Sequence, residues 1–273
     1  MKNIFNNSFK LLIAFCGFAL ILVSCTYKEI ADVDLPAPKL YMPTAVGGNY
    51  VIDNVPQRLD FLPTPGNAYQ FTVDLTKSKM VIPLGVYRSG LDRSGKITAS
   101  IAIKNDTIAT MLAAGKIPAT AFALPTDKIL LPSSVDIISG SEIGTFNLEI
   151  DLNYLRSFPD AILALGVTIN STDASVNPLL KTTVLVIYTK LLKPMAAFSS
   201  KADATNVKKI VFSNISTYGM TYSWNFGDGA AVSTEKSPSY TYPAAGTYNV
   251  TLTTIGATGD LDKTTKTLSV TVL

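Results

Sequence analysis

Few residues in this 273-residue chain could do chemistry. It has no histidine, which removes Ser-His-Asp and Cys-His catalysis and any histidine-ligated metal. There are four glutamates: Glu29, Glu142, Glu149 and Glu235. Glu149 and Asp151 make the best local carboxylate pair. Two residues apart on a strand, they would share a face roughly 6.5–7 Å from one another, and glycoside hydrolysis needs only two carboxylates. That face lies opposite Leu148 and Ile150, a flat wet surface without a cleft, so no catalytic residue is assigned. The stretch "SWNFGDG", Ser223 to Gly229, could be a ligand loop. A phosphate loop would need further glycines and a following helix, and "AAVSTEKSPS" offers none. Calcium takes six or more oxygens, and Asp228 with Asn225 supplies too few. The stretch reads as a turn, and neither a metal nor a cofactor is expected.

The remaining reactive groups are the two cysteines, Cys16 and Cys25. Lys2 and Lys10 precede an apolar run from Leu11 to Val23, shorter than the ~20 residues of a spanning helix. The run ends in Leu22-Val23-Ser24-Cys25, which resembles the bacterial lipobox. The resemblance implies cleavage before Cys25 and acylation of its thiol and new amino group; several acyl chains hold a protein on a bilayer far better than one. Removing 24 residues would leave 249 with a formal charge of +1, since Lys2 and Lys10 depart and the full chain carries +3. So small a charge gives nucleic acid no electrostatic hold. No disulfide is possible in the mature chain. "TYKEIADVDLPAPKLYMP" follows, and Pro36, Pro38 and Pro43 favour an extended tether over a helix. Thr26 stands where an aspartate is associated with inner-membrane retention. Lys28-Glu29 is a thin version of the charged signal of Bacteroidetes surface lipoproteins. Outer-membrane anchoring, facing outward, is the expected localisation.

The elements between residues 70 and 190 read almost wholly as strands. Phe71/Val73/Leu75, Ile97/Ala99/Ile101/Ile103, Phe146/Leu148/Ile150/Leu152 and Val184/Val186/Tyr188 alternate with other residues. The exception is "DTIATMLAAG": Asp106 can cap, Ile108, Met111 and Leu112 share a face, and Gly115 can close one short helix. An antiparallel sandwich follows. The order of pieces, with "FALPTDKILLPSSVDIISGSEIGTFNLEIDLNYL" and then "ILALGVTINS", resembles an uncharacterised Bacteroidetes domain over about Phe71 to Thr189. The resemblance implies a surface lipoprotein associated with glycan-uptake systems. Its usual proline is missing from Ala164 to Gly166.

Pro194 is a natural joint, and beyond it Tyr222/Trp224/Phe226, Tyr248/Val250/Leu252 and Leu268/Val270/Val272 alternate again. "YSWNFGDG" and "SPSYTYPAAGTYNVTL" resemble the polycystic-kidney-disease (PKD) repeat, an immunoglobulin-like sandwich of which some members bind calcium. The expected organisation is a signal over 1–24, a tether and N-terminal segment over 25–69, a first sandwich over 70–190 and a PKD sandwich over 195–273. The fold class is all-β, with two tandem antiparallel sandwiches.

The expected function is a surface lipoprotein that binds or presents glycans beside an outer-membrane uptake system. The alternative is an adhesive or structural surface protein with protein partners. Sugar binding needs an exposed aromatic face with polar groups beside it. Trp224 is expected inside, and Tyr240, Tyr242 and Tyr248 fit the PKD core. The candidate contacts are therefore Tyr87 and Arg88 in "GVYRSG", Tyr154 and Phe158 in "NYLRSFPD", and Tyr218 in "STYGM". Asp106-Thr107-Ile108 resembles the Asp-(Ser/Thr)-apolar acceptor of O-glycosylation in this phylum, which makes Thr107 a candidate modification site. The anchor has a direct test: Cys25→Ala is expected to move the protein from the outer-membrane fraction to soluble fractions or to leave its precursor uncut. A variant that matures and partitions like wild type contradicts the lipobox reading.

Overall fold

A computed structural model describes residues 37–56 and 71–273; the expected signal, Cys25 and most of the tether segment lie outside the described residues. Strands are numbered along the chain. The first domain forms two six-stranded sheets, with burial alternating along Ile143–Asp151 and residues 97–101 but nearly continuous along Ile162–Asn170 and Thr182–Tyr188, whose outer side packs with Ile108 of the helix. One runs in the order β11 (Ser175–Val176), β1 (Lys39–Tyr41), β4 (Lys79–Arg88), β9 (Ile143–Asp151) and β7 (Ile129–Leu130), with β3 (Thr72–Asp74) also on β4. The other runs β2 (Tyr50–Ile52), β12 (Thr182–Tyr188), β10 (Ile162–Asn170), β5 (Ile97–Ile103) and β8 (Ser134–Ile137), with β6 (Phe122–Ala123) also on β10. Leu84 and Leu148 of the first sheet and Leu165 and Leu185 of the second belong to one fully buried cluster. Each such leucine contributes about 1.5–3 kcal/mol through burial.

The structure differs from the sequence reading in several places. Pairing is mainly antiparallel, but β1 with β11, β2 with β12 and β6 with β10 run parallel. Each pair includes a two- or three-residue strand, and its two strands are far apart in the chain, which is the condition parallel pairing requires. Within the segment expected as a tether, residues 39–52 carry β1 and β2, and Leu40, Met42, Tyr50 and Ile52 enter the core. Their prolines prevent a helix without preventing strands, because Pro38 precedes β1 and Pro43 opens a 3-10 turn.

The expected helix spans Asp106–Ala113, with Ile108 buried and Gly115 after it at φ 63°. Its N-cap is Asn105, however, not Asp106, and the Asn105 side chain makes no capping bond. The Asn105 side chain accepts from Gly166 N instead, and Asp106 pairs with Lys104 at 2.9 Å. A second short helix, Leu152–Arg156, was not expected. The Asp151 carboxylate starts it by accepting from the Asn153 and Tyr154 amides at 2.9 and 3.1 Å.

The carboxyl-terminal sandwich pairs β13 (Phe198–Ala202), β14 (Lys209–Asn214) and β16 (Ser239–Thr241) against β15 (Thr221–Asn225), β17 (Gly246–Gly256) and β18 (Gly259–Val272). It has its own core, with Trp224 at 0% exposure beside Phe198 and Phe212. The indole N–H donates to the Glu235 carbonyl at 3.0 Å.

The tip of the β17–β18 hairpin reaches the first sandwich. Ala257 packs on that domain's core, and the fully buried Thr258 donates to the Leu192 carbonyl at 3.0 Å. Arg156 grips Asp262 through two bonds of 2.7 and 3.0 Å. Burial pushes the Asp262 carboxyl up, but hydrogen bonds from Arg156 and Thr258 outweigh it and hold the group below its ordinary value. Charged, partly buried bonds of this kind contribute about 1–2 kcal/mol. A depressed folded-state pKa stabilises above the unfolded value of 3.8 and is lost as pH falls through the folded one.

Two stability measurements follow. Trp224→Ala is expected to cost roughly 3–5 kcal/mol by chemical denaturation followed with circular dichroism; a midpoint that barely moves would mean the indole is not a core group. Asp262→Asn is expected to cost about 1–2 kcal/mol at pH 7, with the gap to wild type closing below pH 3.8. A gap that persists in acid contradicts the ion-pair origin.

Candidate ligand-binding site

Phe158 and Tyr154 are brought together by the unexpected second helix. Leu152 and Leu155 are buried and anchor it, Tyr154 stays half-buried against the first domain's core, and Phe158 follows two residues past the helix end. Thr189 ties down the loop beyond: its hydroxyl bonds the Phe158 carbonyl, and its oxygen accepts from the Ala161 amide at 2.9 Å. The Tyr154 and Phe158 rings lie 5.1 Å apart at 58°. Phe122, on the short β6, approaches Phe158 edge-on at 5.8 Å and 67°. Phe122 and Phe158 keep 40% and 38% of their surface in solvent. Exposed Asn153 and Asp160 flank them in sequence. The result is a cluster of three rings, of which Phe122 and Phe158 are open to solvent.

Phe122 was missed by sequence reasoning. Its only signal is an aromatic residue in a two-residue strand ahead of Leu124-Pro125, too short to show a period.

The other candidates lie elsewhere. Tyr87 is half-buried on β4, where it meets Tyr41 at 5.8 Å. Arg88 is not a surface contact, being only 3% exposed. It continues the inward phase of Ile82, Leu84 and Val86, and its Nη1 donates to the Ser94 and Gly95 carbonyls at 3.0 and 3.2 Å. That phase could have identified it, but the neighbouring Ser89-Gly90 favoured a loop. Tyr218 sits in the carboxyl-terminal sandwich at φ 55°, with its ring packed on the first domain's core. Thr107 is half-buried in the first turn of its helix, behind exposed Asp106.

The carboxylates do not form an acid–base pair, because Asp151 is engaged as a helix cap. "SWNFGDG" is a structural turn. Gly227 and Gly229 both take φ 81°, and a Cβ on Gly227 would stand 2.5 Å from the Asn249 carbonyl. Asp228 accepts from the Tyr240 hydroxyl at 2.5 Å and the Ala230 amide at 3.1 Å, which hold its carboxyl below the ordinary range. Tyr240 in turn stacks on Phe226 at 4.0 Å. Among the described residues no group of three or more acidic or cysteine side chains is placed to hold a metal.

Residues 193–272 match the family model described as PKD domain. The carboxyl-terminal sandwich is a PKD domain. Residues 57–176 match a second model, described as an N-terminal domain. Both matched domains are of binding or structural type. The pre-pro-metalloprotease PrtV of Vibrio cholerae is 35% identical over 85 residues, which are 31% of this chain and 9% of that one. The chain thus corresponds to under a tenth of that relative. The PKD1 domain of Vibrio anguillarum Epp is 33% identical, covering 29% of this chain and 93% of its own, with a TM-score of 0.26. A Bacteroides ovatus protein provisionally described as carbohydrate-binding is 13% identical, covering 80% of this chain and 64% of its own, with a TM-score of 0.38.

Proposed function

We propose that this protein is an outer-membrane lipoprotein, exposed at the cell surface, that binds or presents glycans as a non-catalytic accessory of a polysaccharide-uptake system. The observation that carries the reading is the Phe122–Tyr154–Phe158 face. A pyranose offers a face of C–H groups ringed by hydroxyls. It is held by rigid aromatic surface plus a few placed polar groups, and aromatic side chains lose little conformational freedom in the process. Here the rings are fixed by the Asp151 cap and the Thr189 bonds before any ligand arrives.

Three other features support the reading. Lys2, Lys10, the apolar run and Cys25 stand in lipobox order. The first domain resembles one associated with glycan uptake. The PKD domain serves as a support, its hairpin tip braced against the first sandwich through Thr258 and Asp262. Membrane attachment through Cys25 and contact with outer-membrane uptake proteins belong to the same proposal.

A glycan array probed with the purified mature protein tests it. At least one polysaccharide class is expected to bind, and Phe158→Ala is expected to weaken that binding about tenfold, or ~1.4 kcal/mol. Its melting point should change little, because the ring is exposed. An array with no ligand, or a ligand indifferent to Phe158→Ala and Phe122→Ala, overturns the assignment and leaves the adhesive role with protein partners.

A further inference from the structure

The sheet margins of this molecule are blunted, with one exception. Among the described residues the other strands that end a sheet are short: two residues in β7 and β11, three in β2 and β16, four in β8, five in β13 and β15. β18 runs for 14 residues, hydrogen-bonds β17 along one side and has no strand on the other. A margin strand presents a row of unpaired amides and carbonyls, and natural sheets keep such rows short, charged, or broken by proline and bulges. Up to Thr264 the strand is engaged at the domain junction. Asp262 holds Arg156, and the Thr264 hydroxyl donates to the Pro194 carbonyl at 3.0 Å and accepts from the Ala196 amide at 2.9 Å. Over residues 265–272 no backbone group bonds a described partner outside β17, and the register with β17 is unbroken. That stretch, "TKTLSVTV", carries one charge, Lys266, and neither proline nor glycine.

The open margin is also matched to itself. Thr265, Thr267, Ser269 and Thr271 are exposed on the outer face, where the Thr251 and Thr267 hydroxyls share a bond of 2.8 Å and Ser269 donates to Asn249 at 2.8 Å. Leu268, Val270 and Val272 alternate with them toward the core, and Leu268 is only half-buried. In an antiparallel pair, directly opposed side chains point to the same face. A two-fold axis through Ser269 therefore sets Thr267 against the partner's Thr271, Leu268 against the partner's Val270 and Lys266 against the partner's Val272. Hydroxyl meets hydroxyl outside, leucine meets valine within, and the Lys266 charge meets no other charge. Because β18 starts at the domain junction and runs away from it, the two first sandwiches lie at opposite ends of such a pair.

We propose that this margin is a self-association surface: two copies of the chain pair their β18 strands antiparallel and join their three-stranded sheets into one continuous sheet. The pairing satisfies the open amides and carbonyls and covers Leu268. It sets two copies of the Phe122–Phe158 surface on one assembly, so that a polymer with repeated binding units is held at two points. The association itself does not depend on glycan binding.

Sedimentation equilibrium tests it on the mature chain carrying Cys25→Ala, which keeps acylation out of the measurement. A reversible monomer–dimer equilibrium is expected, and hydrogen exchange at residues 265–272 should slow as concentration rises. Thr267→Lys with Thr271→Lys opposes like charges twice across the axis and is expected to weaken the dimer about tenfold or more. Thr267→Lys with Thr271→Glu opposes unlike charges at the same two places and should associate at least as strongly as wild type. Both variants change exposed positions, so the melting point of the monomer should move little. The proposal is overturned by a chain that stays monomeric at every concentration, or by a dimer whose residues 265–272 exchange at the monomer's rate. It is equally overturned by a dimer that the like-charge variant does not weaken, or by an unlike-charge variant that associates no better than the like-charge one.

Discussion

The arrangement of this molecule turns on one contact, the docking of the β17–β18 hairpin tip against the first sandwich. Each sandwich buries a core of its own, and Pro194 alone would leave a joint between them. The tip removes that freedom with a few well-placed groups. A Cβ on Gly256 would stand 3.0 Å from Pro194 and from the Tyr218 carbonyl, closer than side chains ordinarily pack, so a glycine eases the approach. Thr258 then satisfies the Leu192 carbonyl in a fully buried setting, and Asp262 closes on Arg156 at the rim. Because an unmet buried hydroxyl or carbonyl is costly, these bonds fix orientation as well as adding stability.

The aromatic cluster and the junction between the sandwiches depend on that docking in different ways. Arg156 belongs to the same five-residue helix that presents Tyr154, so the ion pair across the domains also steadies the aromatic face. The junction depends on it directly, since Tyr218 reaches from one sandwich onto the core of the other. A PKD domain used purely as a spacer would need only its two ends. This one braces its neighbour.

The larger architecture was legible because period-two alternation records which face of a strand is buried. Trp224 and Phe226 point inward as their phase required, and the glycines of the following turn take the positive φ that only a missing Cβ makes easy. What escaped was set by long-range contact. Asp151 looked like a strand carboxylate and became a cap because the chain turns into a helix too short to show a 3.6-residue period. Phe122 occupies a two-residue strand whose place is decided by β10. β1 and β2 hide in proline-bearing sequence because their partners, β4 and β12, lie far along the chain. Nothing local in "GATGD" shows that Thr258 would be buried by another domain.

Backbone ¹⁵N relaxation of the mature protein measures the docking most directly. Amides of β4, β9 and β10 and those of β15 and β17 should report one shared rotational correlation time, that of a single body. A distinctly shorter time for the PKD amides, as for a small domain tumbling on a tether, would contradict a fixed junction.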